Sequence, residues 1–215
     1  MPVRHVFIAL AFALGWQAAV RAQPPNVVLI FIDDMGYGDL SCYGNTDIET
    51  PHIDELAAEG TKFTQFYVAS PICSPSRVGI TTGQFPARHR IHSYLASRQK
   101  NRDRGMADFL DPDVPAIART FNSAGYATAH FGKWHMGGGR DVDDAPHPKA
   151  YGFDESLVSF EGLGDRLLIE GDGLSRQSSQ LKQGKIEWVP KHRLTPMYVD
   201  RSIDFIERHR DQPFF

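Results

Sequence analysis

Cysteine is scarce in this sequence: Cys42 and Cys73 are the only two in 215 residues, too few for a disulfide-built scaffold. A cationic surplus is also missing. Lys and Arg number 23 against 26 Asp and Glu, a net charge of −3, so no nucleic-acid partner is expected. There is no internal repeat and no low-complexity tract. What is present is the mixture of a soluble globular protein, 41% hydrophobic and 23% charged, long enough for one domain with a real core.

The first residues form a separate object. Arg4 and His5 make a short basic region, Val6 to Val20 is almost wholly apolar, and Val20 and Ala22 put small residues before a cleavage point at Gln23. This pattern predicts a secretory signal peptide over residues 1–22, with an uncleaved anchor as the alternative. Export to an extracytoplasmic compartment, secreted or periplasmic, follows, without stable membrane insertion after cleavage. In such a compartment the default reading of two cysteines is one disulfide.

After Pro24-Pro25, Asn26 to Ile32 (NVVLIFI) is a continuous β-branched apolar run, as in a strand buried on both faces of a parallel sheet. It stops at Asp33-Asp34, followed by Gly36 and Gly38. Thr50 as N-cap, Pro51 and terminal Gly60 punctuate a helix, and Thr61 to Val68 alternates like a second strand. Asp113 can cap a helix opened by Val114-Pro115 and closed by Gly125. Tyr126 to Phe131 reads as a third strand ending at Gly132-Lys133-Trp134-His135. A last helix from Thr195-Pro196 to about His209 places Val199, Ile203 and Ile206 on one face. Pro213-Phe214-Phe215 opens one more strand. Between Asp141 and Lys191 the chain reads as loops with one hairpin, Gln180 to Val189. The alternation predicts an α/β fold with a largely parallel central sheet and helices on both faces.

In open α/β sheets, ligands sit beyond the carboxyl ends of the strands. Asp33 and Asp34 lie at one such end and suit a hard divalent cation, although Asp-Asp-x-Gly also makes a plain turn. Lys133 and His135 lie at another, and point to the same side if the strand geometry persists. Alone they read as a solvated lysine and a structural histidine, or as an anion-binding pair that handles a proton. The cationic stretch Arg88 to Arg104, interrupted by Tyr94, Leu95 and Asp103, reads as a solvated loop, with facing an anionic substrate as the alternative.

The segment Cys73-Ser74-Pro75-Ser76-Arg77, continued by Val78 to Thr82-Gly83, resembles the signature of type I, formylglycine-dependent sulfatases of the alkaline phosphatase superfamily. Asn26 to Gly38, Thr50 to Gly60, Gly125 to His135 and Tyr151-Gly152-Phe153-Asp154 resemble further family segments, in order. The resemblance implies that a formylglycine-generating enzyme oxidises Cys73. One hydroxyl of the resulting hydrate attacks sulfur, and the other ejects sulfate by re-forming the aldehyde. It implies Cys73 as nucleophile and metal ligand, and Arg77 as stabiliser, one turn away if Pro75 opens a helix. Asp33 and Asp34 would bind calcium (magnesium is the alternative), Lys133 a sulfate oxygen, and His135 the formylglycine hydroxyl. A formylglycine has no sulfur to pair, so on this reading Cys42 is a lone structural thiol.

The implied activity is sulfate-ester hydrolysis on a sulfated small molecule or polysaccharide. The alternatives are a phosphodiester or phosphonate hydrolase of the same superfamily, and a non-catalytic remnant. Such a family member also needs further metal ligands, a second lysine and a second histidine, which have no counterpart here, so the fold is expected to be incomplete at its C-terminus. His192 and His209 read as solvated, and a site serine would be Ser156 or Ser159.

Overall fold

The computed structural model describes residues 24–137, 145–159, 166–171 and 184–215; the expected leader lies outside these. Two apolar clusters meet at β2 (Glu155–Ser159), because adjacent strand residues face opposite ways. Leu157 packs with Val189 and Leu194, whereas Val158 joins Val78, Trp134, Tyr151 and Phe153. Helices supply both clusters. Val78 comes from α2 (Cys73–Thr82) and Ala118 from α4 (Ile117–Ser123), while Leu194 comes from α5 (Lys191–Arg208). The sheet is therefore covered on both faces, as an α/β reading requires.

β1 (Ala129–Lys133) pairs in parallel with β2, from Ala129 opposite Glu155 to Lys133 opposite Ser159. β3 (Arg166–Gly171) and β4 (Gly184–Trp188) extend the sheet antiparallel beyond β2. On the other side, Ala127 bridges Phe214 in parallel, and the Phe214 carbonyl accepts from the Val27 N–H at 2.9 Å. Residues 213–215 thus lie between the approach to β1 and the segment that ends at Asp33-Asp34. The sheet has a parallel centre and an antiparallel flank.

Local punctuation works as read in α1 (Pro51–Glu59) and at Gly60, and the short α3 (Arg98–Asp103) follows Ser97 as its N-cap. Thr50 acts indirectly: its hydroxyl and that of Ser41 both bond the Asp54 carboxylate, at 3.0 and 2.6 Å. α2 begins at Cys73 itself and closes on Gly83 with φ +65°. Gly152 is required for a different reason. Its φ is +100°, and a Cβ there would stand 2.4 Å from the Arg119 Cα.

Several expectations are corrected. Asn26–Ile32 is extended but is not a buried strand: beyond Val27 it has no ladder partner among the described residues, and Ile30 is 75% exposed. Thr61–Val68 forms no strand and has no ladder partner among the described residues. The third strand starts at Ala129, because the Tyr126 N–H closes the preceding helix on Phe121 O and Thr128 is tied to Asp154. α4 starts at Ile117 rather than Val114, since Arg119 claims the carbonyls of Pro112 and Val114. α5 runs through Pro196 from Lys191. Its buried seam is Leu194 and Phe205, with Val199 and Ile203 each 50% exposed. The hairpin strand exists as β4, but its partner β3 lies in the stretch read as loop.

Candidate active site

Helix α2 presents Cys73 at its N-terminal end, where the helix dipole is positive. Four residues on, Arg77 is one turn away and 7% exposed. Its Nη2 lies 3.3 Å from Asp33 Oδ1, and its Nη1 donates to the Lys133 carbonyl at 2.6 Å. Lys133 Nζ reaches Asp33 Oδ2 at 2.5 Å. One carboxylate and two cations, from the end of an extended segment, the end of β1 and the first turns of a helix, form a closed unit. Arg77 is also near enough to Asp34 and Cys73 to feel their charges. The six residues singled out in the sequence thus come together in one region, with His135 beside Lys133, Arg77 and Asp33.

The electrostatics follow from burial and partners. Burial pushes the Asp33 carboxyl up, but the hydrogen bond and charge of Lys133, joined by Arg77, outweigh it and hold it below its ordinary value. His135 is 8% exposed, and burial is the main reason its pKa falls to about 4. The Leu95 carbonyl opposes that fall, and the charges of Lys133 and Arg77 add to it. Its Nε2 lies 3.1 Å from Leu95 O. A carbonyl only accepts, so Nε2 carries the proton and Nδ1 a lone pair. That Nδ1 is buried without a hydrogen-bond partner among the described residues, and so is Arg77 Nε. Buried polar atoms normally have partners, and these two unpartnered atoms both lie within the candidate site.

The route by which His135 reaches the site differs from the sequence reading. Strand geometry ends at Lys133, and His135 has φ +48°, a left-handed conformation uncommon for a residue with a side chain. Asp34, at φ +57°, is the same case beside Asp33. Such backbone outliers gather at functional sites.

Metal binding was expected at Asp33, Asp34 and Cys73. Among the described residues no three His, Cys, Asp or Glu converge as a metal site would require. Asp33 and Asp34 fit a hard cation as adjacent carboxylate donors, but they fill only part of the several oxygen positions calcium takes. Both cysteines are free, so the disulfide reading fails.

Two contributors were not anticipated. His130, half-buried on β1 with its pKa lowered to about 4 chiefly by desolvation, places Nε2 3.4 Å from the Lys133 carbonyl that Arg77 also uses. Ser74, 0% exposed, accepts the Leu95 N–H on Oγ at 3.0 Å. Neither stands out in a motif: His130 meets a carbonyl three residues on and Ser74 an N–H 21 residues away, contacts that only the fold sets. Ser156 and Ser159 lie on β2, and the Ser159 carbonyl accepts the Trp134 N–H at 2.8 Å. His192 is exposed on α5, and His209 closes that helix with Nδ1 2.8 Å from Phe205 O.

Comparison with known proteins gives a family for the chain as a whole. The family model described as Sulfatase matches residues 25–215. The N-acetylgalactosamine-6-sulfatase of Rattus norvegicus is 33% identical over 223 residues, covering 99% of this chain and 42% of that protein. The steryl-sulfatase of Mus musculus is 42% identical over 150 residues, 65% of this chain and 23% of that protein. A solved structure from work on glycosaminoglycan metabolism by Bacteroides thetaiotaomicron superposes with a TM-score of 0.68 at 26% identity, covering 90% of this chain and 50% of that one. Another, solved with k-i-k-neocarrahexaose, gives 0.67 at 29% identity, covering 90% and 44%. The chain therefore spans half or less of the length of the relatives it matches. A match running from residue 25 to residue 215, on a fold that gathers the motif residues at one edge of its sheet, means that this chain belongs to the sulfatase family.

Proposed function

We propose that this chain supplies one side of the active site of a sulfate-ester hydrolase, with Cys73 as the precursor of its formylglycine nucleophile. The observation that carries this reading is the closed unit of Asp33, Arg77 and Lys133 at the end of α2 that bears Cys73. A sulfate ester is a tetrahedral anion, and the unit's two cations against one carboxylate leave positive charge to meet it.

Each residue has a part set by its surroundings. Arg77 is fixed by Asp33 and the Lys133 carbonyl, which leaves Nε to orient the group at position 73. Lys133 Nζ neutralises charge that grows on a sulfate oxygen in the transition state. His135 stays neutral at physiological pH, with its proton on Nε2, so Nδ1 accepts a proton from a hydroxyl at position 73. Asp33 and Asp34, with residue 73, would hold a calcium ion whose chemistry is to polarise the sulfate and favour the ionised nucleophile. The remaining ligands of such an ion come from outside the described residues. Substrates would be sulfated sugars or small sulfate esters, as the names of the relatives suggest. The predicted leader and export belong to the same reading. No described helix is long and apolar enough to cross a membrane.

The test uses full-length protein expressed with a formylglycine-generating enzyme. The peptide containing residue 73 should be lighter than its cysteine form, whereas ordinary thiol oxidation would make it heavier. An aryl sulfate should be hydrolysed in preference to an aryl phosphate diester. An unmodified Cys73 in active enzyme, or preference for the diester, rejects the reading.

A further inference from the structure

A single peptide unit ties the cationic stretch 88–104 to the candidate site. The Leu95 N–H donates to Ser74 Oγ, next to Cys73, at 3.0 Å; the carbonyl of that same unit, Tyr94 O, accepts from Arg104 Nη1 at 3.2 Å. Leu95's own carbonyl accepts from His135. Arg104 is thus one peptide plane away from the residue that follows Cys73.

The guanidinium is also oriented. Its carbon stands 4.3 Å from the Tyr94 ring centroid, and Nη2 donates to Tyr94 Oη at 2.8 Å. Its other N–H donors have no acceptor, and its charge no carboxylate partner, among the described residues. Arg98, by contrast, pairs with Asp108 at 3.3 Å. The stretch is braced from within: buried Asn101 accepts the Ala96 N–H at 2.9 Å and donates to Asp108 Oδ1 at 3.0 Å. A braced cation needs little ordering when it binds. Around it, residues 88–104 hold six Lys and Arg against one Asp, in a chain whose net charge is −3. Such local positive charge draws in polyanions in a salt-dependent way.

We propose that Arg104, held on Tyr94, determines specificity by binding a second anionic group of a sulfated glycan, a sulfate or a carboxylate, while the scissile sulfate ester sits at residue 73. The planar guanidinium fork suits either group. This rests on the sulfatase reading above, and the test separates the two.

Full-length enzyme is assayed with 4-nitrophenyl sulfate and with oligosaccharides of chondroitin 6-sulfate, heparin and ι-carrageenan. Arg104→Ala should lower kcat/KM on at least one of these glycans about tenfold more than on the aryl sulfate, through KM and with a weaker salt dependence. Arg104→Lys should recover only part. An equal fall on glycan and aryl sulfate would show that Arg104 merely props the Leu95 peptide, and overturns the proposal, as does no change at all. A second arm needs no turnover. Full-length Cys73→Ala protein should be retained at low salt on at least one of the three immobilised glycans and elute earlier when Arg104→Ala is added. Unchanged elution, or no retention on any of them, overturns the proposal. Arg104-dependent retention in a protein that hydrolyses no sulfate would sink the sulfatase reading alone.

Discussion

Lys133 Nζ lies 2.5 Å from Asp33 Oδ2 across 100 residues of sequence, and residues 213–215 run between the two chain segments that carry them. Their side chains reach each other beyond the ends of those segments, where a sheet of this class places its ligands. Arg77 completes the unit, with Asp33 on one nitrogen and the Lys133 carbonyl on another.

Removing the lysine should act on chemistry. In full-length enzyme Lys133→Ala is expected to lower kcat by about 10²–10³, the range for losing one transition-state donor. Because Asp33 shares that contact, Asp33→Asn and Lys133→Ala should be non-additive in a double-mutant cycle. Steady-state kinetics on an aryl sulfate measure both. A Lys133→Ala kcat within a few-fold of wild type contradicts the assignment.

Arg77 should matter for folding as well as turnover. Its guanidinium is buried and serves two partners, so Arg77→Ala leaves Asp33 with Lys133 alone and the Lys133 carbonyl without that donor, and should cost about 2 kcal/mol in urea unfolding. Arg77→Lys should not restore activity, because an ammonium lacks the fork that reaches both the carboxylate and the carbonyl. Full rescue by lysine would show that charge alone suffices.

Two histidines, His135 buried and His130 half-buried, should make stability depend on pH. His130 and His135 each titrate near pH 4 in the fold, against an ordinary value of 6.5. The unfolded chain therefore takes up protons first as pH falls, and stability drops from about pH 6.5 toward pH 4. Each site contributes up to about 3 kcal/mol over that window. His130→Gln should flatten the dependence of the urea midpoint between pH 7.5 and pH 5. An unchanged slope would place His130 among exposed, ordinary histidines.

Gly152 and Gly125 separate backbone strain from crowding. Both have positive φ, +100° and +87°, but a Cβ at Gly125 meets nothing within 4 Å, whereas one at Gly152 meets the Arg119 backbone. Gly125→Ala should cost about 1 kcal/mol and Gly152→Ala distinctly more, about 3 kcal/mol, in thermal unfolding. Equal costs would mean that the Arg119 turn yields freely.

Chelation tests the cation. EDTA followed by dialysis should abolish aryl sulfate hydrolysis, and calcium should restore it more fully than magnesium, because flexible carboxylate pairs suit the larger ion. Asp34→Asn should raise the calcium concentration needed. Full activity in metal-free buffer rejects the ion.

Much of the local organisation is legible in the amino-acid sequence. Thr50-Pro51 and Gly60 bound a helix by local chemistry alone, whereas Cys73 to Gly83 announces a family motif and a helix only on the condition that Pro75 opens one; the helix starts at Cys73. The long apolar run Asn26–Ile32 misleads as to burial, since hydrophobicity says what a strand would gain by pairing, not whether a partner is there. Val199 and Ile203 mislead likewise: the periodicity of α5 is real, but Leu194 and Phe205 face the sheet. Arg104 is legible only as one cation among six.

The sequence by itself determined the kinds of residue at the site, their order along the chain and the local signals that start and stop α1. The tertiary structure alone decided that Asp33, Arg77 and Lys133 share one unit, that His135 is neutral with its lone pair on Nδ1, and that Arg104 is joined to Ser74 through one peptide. Local patterns act over a few residues of chain, whereas charge pairing, desolvation and hydrogen bonding depend on distance through space. Those distances exist only once segments a hundred residues apart have packed together.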